Sequence, residues 1–266
     1  MTNIPMRLFS PSRVCLSFLT LLFLLLTALS SVSGGPVFAH PEDEFCQGGS
    51  LDPELCAALS ELDASTPITT DKLLADTNRT LLSNTGHFVV RGVDHILPGG
   101  TDHILFVLAL FFAVRRLKPL LLQISLFTLA HSVTLGLAAA GLVYVPSGIV
   151  EPLIALSIGL VAIENIFFRK MTRWRPLIVF GFGLFHGLGF AGFFLEQDLP
   201  DGFFWSSLIG FNIGVELGQL SVVLTAFLLL NWFFKRDWYT RWVVIPASSV
   251  IAAIGFYWAV ERVLTG

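Results

Sequence analysis

Residues 203–234 read FFWSSLIGFNIGVELGQLSVVLTAFLLLNWFF, an apolar run carrying one formal charge, Glu216. At about 1.5 Å per residue, a helix of this length crosses the roughly 30 Å hydrocarbon core of a bilayer with residues to spare. Asn212, Glu216 and Gln219 stand at i, i+4 and i+7, which puts them on one face. Gly210, Gly214 and Gly218 repeat every four residues, and at about 100° per residue their stripe lies roughly opposite. One face is built to pack closely, and the other is free to line a cavity.

Five further apolar runs occur at 99–114, 120–142, 146–168, 176–195 and 242–264. The chain is 54% hydrophobic and 13% charged over 266 residues, with mean hydropathy +0.76. This predicts an all-α fold, a polytopic membrane bundle of about six transmembrane helices over 86–266. Basic residues cluster in the first, third and fifth connections: Arg115, Arg116 and Lys118; Arg169, Lys170, Arg173 and Arg175; Lys235, Arg236 and Arg241. Glu151 sits in the second, and Glu196, Asp198 and Asp201 in the fourth. The positive-inside rule then places both mature ends outside. Net charge is −3 and no basic face forms, which excludes nucleic acid as a partner and leaves the lipid bilayer.

The first 39 residues have the layout of a signal peptide: Arg7 and Arg13, an apolar run at 16–29, then small and turn-forming residues ending at Ala39. An uncleaved anchor helix gives the same topology. The expected location is a bacterial inner (cytoplasmic) membrane, with segment 40–85 periplasmic or extracellular. That segment is too small to bury a core of its own. Cys15 lies in the leader, so Cys46 and Cys56 face an oxidising compartment, where a disulfide is preferred to a thiolate metal pair.

Ionisable groups within a bilayer are costly unless paired, hydrated or neutralised. Asp102 and His103 open the first span, and His131 is central in the second, with Thr128 and Ser132 on the same face. Glu164 and Asn165 end the third, His186 is central in the fourth, and Asn212, Glu216 and Gln219 share the fifth. Counted from each predicted membrane boundary, these groups form a ladder. An outer mouth of Asp94, His95, Asp102 and His103 leads to a midplane of His131, His186 and Glu216. Thr128, Ser132, Glu151, Asn212 and Gln219 line the path, and Glu164 with Asn165 forms the inner exit. His87 and His95 are expected on an amphipathic approach segment, 86–97, at the outer mouth. Imidazole and carboxylate together suit Ni, Co, Zn or Cu. The bland alternative for any single histidine is a packing residue bonded to a neighbouring carbonyl, and for Glu151 beside Pro152 a helix start.

Residues 92–106, GVDHILPGGTDHILF, resemble the signature of the HupE/UreJ family of hydrogenase- and urease-associated membrane proteins. So do FTLAHSVTL (127–135), VEPLIALS (150–157), FGLFHGLGFA (182–191) and FNIGVELGQ (211–219). The resemblance implies a helical membrane protein of the nickel/cobalt permease type, with the His and Asp-His elements carried over to His95, Asp102 and His103. It also implies maturation proteins of metalloenzymes as partners, and a homo-oligomer stays open. One departure is visible. Such permeases place the His, a short spacer and Asp-His within one helix, whereas Pro98-Gly99-Gly100 here should break the helix between the two histidines.

The leading expectation is a non-enzymatic permease for a divalent transition-metal ion, Ni(II) or Co(II), with Zn or Cu as further candidates. An intramembrane zinc hydrolase needs three ligands and an open position on one level, whereas a transporter can spread its groups along a path. A third reading is a metal sensor or assembly factor acting through the exported segment.

Overall fold

The computed structural model describes residues 80–265 apart from 115, 169–173, 198 and 200–201. The leader, the Cys46–Cys56 pairing and most of the exported segment lie outside the described residues. So do Arg115, Arg169, Lys170, Arg173, Asp198 and Asp201. The described residues are helical, with no strand among them.

The helices are α1 (Leu81–Ile96), α2 (Thr101–Ala113), α3 (Leu117–Ala139), α4 (Ser147–Phe167), α5 (Arg175–Gly189), α6 (Ala191–Leu195), α7 (Phe204–Leu230) and α8 (Ile245–Thr265). A 3-10 turn (Asn231–Phe233) extends α7, and a π-helical turn (Thr240–Val244) leads into α8. Four helical stretches are long and apolar enough to cross a membrane: α3, α4, α7 with its 3-10 turn, and α8 with its π turn. The pair α1–α2 makes a fifth when its halves, bent by 74°, count as one span. The expectation of six continuous spans is therefore corrected at two places. The 99–114 run forms only the 13-residue α2, about 20 Å long, which is too short to cross alone. The 176–195 run breaks at Phe190 into the 15-residue α5 and the five-residue α6, after two glycines in three residues weaken the helix.

A second correction concerns α1. It begins at Leu81, where Thr80 and Ser83 form a reciprocal capping box. Its inner face, Asn84, Phe88, Gly92, His95 and Ile96, is buried against α7 rather than lying in the membrane interface. An amphipathic pattern requires one apolar partner but does not say which. Here the partner is the glycine stripe of α7. A Cβ on Gly214 would collide with the Val89 carbonyl and lie 2.8 Å from the Gly92 Cα. Asn84 closes the end of this seam by donating to Ser206 and Ser207, each at 2.9 Å.

Two other helix pairs meet in the same way, α5 on α3 through Gly183 and Gly187, and α8 on α4 through Gly255 and Gly159. Between the three pairs runs α2, apolar on all sides, with every residue from His103 to Phe112 buried. It touches α1, α3, α4, α7 and α8. The outer faces carry exposed Leu122, Leu129, Leu217, Leu224 and Leu228, a surface suited to lipid.

Gly214→Leu should cost about 3 kcal/mol or more, because its Cβ has only backbone to displace. Gly86→Ala, where nothing lies within 4 Å, should be neutral or stabilising by about 0.5–1 kcal/mol. Thermal unfolding in detergent with gel filtration distinguishes the two outcomes.

Candidate metal centre

Two helix breaks deliver the site. His95 lies in the last turn of α1 and His103 in the first turn of α2, so the 74° bend at Leu97–Gly100 brings the two rings to 4.7 Å. The break expected at Pro98-Gly99-Gly100 is thus present, and the Leu97–Pro98 peptide is cis. His186 sits one turn before the break at Phe190, and its ring lies 5.0 Å from that of His103. His131 comes from the middle of α3, with its ring 5.8 Å from His103 and 6.3 Å from His95. All four histidines are buried, at 4% exposure or less.

Hydrogen bonding fixes how two of these rings point. The Asn212 amide nitrogen donates to the Leu208 carbonyl at 2.8 Å, which turns its oxygen toward His131 Nδ1 at 3.2 Å. His131 therefore carries its proton on Nδ1 and presents the Nε2 lone pair. Ser157 gives its hydroxyl proton to the Ile154 carbonyl at 2.6 Å, so it accepts from His186 Nε2–H at 3.1 Å and leaves Nδ1 free to ligate. Outer partners of this kind set tautomer and ring orientation in metal sites.

The freed atoms converge. His131 Nε2 and His186 Nδ1, together with His95 Nε2 and His103 Nε2, are buried without a hydrogen-bond partner. Buried polar atoms are normally satisfied, so unpartnered imidazole nitrogens on neighbouring rings mark a place where a ligand could bind. His95, His103 and His131 each offer a ligand atom, and these atoms lie within 4.8 Å of one another. Neutral imidazoles suit Ni, Co, Zn or Cu. Phe190 lies against His95 at 3.5 Å between ring centres, and Phe193, Phe211, Phe127 and Phe106 complete an aromatic wall.

The ladder of groups is replaced by a single level. His95 and His103 are not at an outer mouth but stand beside His131 and His186, level with the middle of α3 and with Ser157 at mid-α4. Counting from a predicted membrane boundary failed because α2 begins inside the bundle. The carboxylates separate from the imidazoles. Asp102 pairs with Arg262 of α8 at 2.8 Å, and Arg262 also donates to the Glu151 carbonyl at 3.2 Å. The Glu151 side chain and Asp94 are exposed. Glu164 and Asn165 are held by the buried Arg175, at 3.1 and 3.2 Å, while Asn165 ties α4 to α2 through the Ala109 carbonyl and to α8 through Ser248. They form an interhelical clamp. Glu216 lies one turn from the His131–Asn212 level, where it accepts from Ser125 at 2.7 Å and bonds Thr128, which also contacts Gln219 at 3.1 Å. Ser132 bonds back to the Thr128 carbonyl at 2.7 Å.

Sequence reasoning missed Ser157, Phe190, Arg175 and Arg262. Arg262 had a signal, being the one basic residue inside the last apolar run. Ser157 and Phe190 had none beyond their place in the family-like stretches.

These features define a helical membrane protein with a buried histidine centre at the breaks of two helices. A family model described as HupE / UreJ protein matches residues 70–262, and the chain belongs to that family. No curated protein and no solved structure matches it.

Asn212→Ala and Ser157→Ala should each weaken Ni(II) or Co(II) binding about 10–100-fold by freeing a ring that the bond now orients. Asp94→Asn should leave it unchanged. Equilibrium dialysis of the purified protein with elemental analysis measures all three.

Proposed function

We propose that the chain is a permease for a divalent transition-metal ion, Ni(II) or Co(II), which it binds as substrate on His95, His103, His131 and His186. The observation that carries this reading is the convergence of ligand atoms from His95, His103 and His131 within 4.8 Å, with the His186 ring beside them, where two apolar helices are interrupted. Ion sites in membrane transporters recur at discontinuous helices, because irregular backbone is tolerated only where protein encloses it and the breaks let flanking segments move. Neutral ligands hold a divalent ion without cancelling its charge, which favours release over storage. The Phe190 ring closes the centre on the α5 side, so passage requires that break to open.

The tight grouping on one level also meets the first demand of a zinc hydrolase. Such an enzyme further needs a carboxylate to activate the metal-bound water. Asp102 is tied to Arg262 and Glu216 is held by hydroxyls of α3, so neither is presented to the imidazoles, and the permease reading is better supported. We place the protein in a bacterial cytoplasmic membrane with both mature ends outside, as leader and loop charges suggest. Asp102 and Glu151 meet Arg262 near the end of α8, which agrees with the starts of α2 and α4 lying on the side of the C-terminus.

Proteoliposomes loaded with a metal-sensitive dye should take up Ni(II) or Co(II), and His103→Ala and His131→Ala should reduce the rate by about tenfold or more, the scale of losing a ligand worth at least 1.4 kcal/mol. Protons compete with metal for imidazole, so strong acidification should weaken uptake. Absence of flux for Ni, Co, Zn and Cu at every pH would overturn the reading.

A further inference from the structure

Two charges of opposite sign stand unpartnered on the outward side of α1. Arg91 and Asp94 are exposed, and among the described residues neither is hydrogen-bonded or ion-paired. At about 100° per residue they fall within roughly 60° of one another, and the exposed His87 shares their stripe. Their depth makes this costly. With its 3-10 turn α7 runs for 30 residues, about 45 Å, so Gly218 lies close to its middle. Helix α1 runs alongside in the same direction: Gly210 meets Thr85, Gly214 meets Val89 and Gly92, and Gly218 meets Ile96. Arg91 and Asp94 therefore sit within about 10 Å of the middle of that span, at the level of the hydrocarbon. Charged side chains at such depth face a bundle interior or water, or pair with one another. A water-filled entrance for a metal ion is poorly served by this stripe, because Arg91 would repel the cargo. A second copy of the chain neutralises both charges at once.

We propose that the exposed stripe of α1 is a two-fold interface between copies of this chain, in which Arg91 of each copy pairs with Asp94 of the other. A two-fold axis along the membrane normal keeps both copies in the same orientation and brings the same face of each α1 together. Three residues separate the two charges, about 4.5 Å along the helix, a step that the long arginine side chain spans. Symmetry then supplies two ion pairs, and no charge is left to lipid. Beside the stripe, Val90 is 59% and Leu82 83% exposed, which gives the contact an apolar flank. The core-facing side of α1, with Phe88 and His95, stays buried in its own bundle. The interface is independent of what the histidine centre binds.

The test counts subunits. Full-length chain carrying a dye at its C-terminus is reconstituted in liposomes and photobleached molecule by molecule at falling protein-to-lipid ratio. Two-step bleaching should dominate for the wild type. Arg91→Glu and Asp94→Arg, each of which opposes like charges, should weaken dimerisation by about tenfold or more, the scale of 1.4 kcal/mol. Copies of Arg91→Glu mixed with copies of Asp94→Arg, in two colours, should form mixed dimers, because one presents two acids and the other two bases. Pairing inside a single helix cannot produce that rescue. Circular dichroism and gel filtration check that each variant is folded, and the neutral Arg91→Gln and Asp94→Asn, which should also favour the monomer, replace any reversal that is not. A wild type that bleaches in one step at every ratio overturns the proposal. So does a dimer that loss of either charge leaves intact, or a mixture of the two reversals that fails to associate.

Discussion

An interrupted helix inside an apolar bundle strands amides and carbonyls that lipid cannot satisfy. The arrangement of this protein follows from how the break at Leu97–Gly100 is satisfied. Leu97 N donates to the Val93 carbonyl at 2.8 Å and Gly100 N to that of Ile96 at 3.2 Å, while Ile104 N returns to Gly100 at 2.9 Å. These amides are paired through the turn, so the chain can bend by 74° within the bundle. Gly100 is needed for this close return, since a Cβ there would meet the His95 carbonyl and lie 3.1 Å from the Ile96 Cα. The break requires protein on all sides, and α1 seated in the glycine stripe of α7 supplies one of them. Without that seam, His95 would have no route to the centre.

Once the break is in place, chemistry is divided by level. Imidazoles occupy the middle, buried among the rings of Phe190, Phe193, Phe211, Phe127 and Phe106. Carboxylates are kept away from them by dedicated partners: Arg262 for Asp102, Arg175 for Glu164, and the α3 hydroxyls for Glu216. The two arginine pairs also tie helices together at opposite ends of α4, because Arg262 reaches Glu151 near its start and Arg175 reaches Glu164 near its end. Such pairs stabilise only because both partners are present, and breaking one would leave a charge uncompensated in a poorly hydrated place.

Much of this was legible in the residues. Helical membrane character followed from apolar runs, the helix break from Pro98-Gly99-Gly100, and the close-packing face of α7 from Gly210, Gly214 and Gly218. The histidine set was also readable, since buried imidazoles in lipid demand a reason. What could not be read was pairing at long range. Asp102 lies 160 residues from Arg262, and no periodicity in either helix records that contact. The burial of α1 was hidden for a related reason, as an amphipathic pattern fits a bundle seam and a membrane surface equally well. Depth failed because it was counted from membrane boundaries, and α2 has its start inside.

The central claim is that these imidazoles share one metal ion. X-ray absorption spectroscopy of the Co(II)- or Ni(II)-loaded protein tests it most directly. A nitrogen-dominated inner shell with outer-shell imidazole scattering from at least three histidines, reduced by one ring in His131→Ala, is the predicted spectrum. A shell dominated by oxygen, or a spectrum unchanged by His131→Ala, would contradict it.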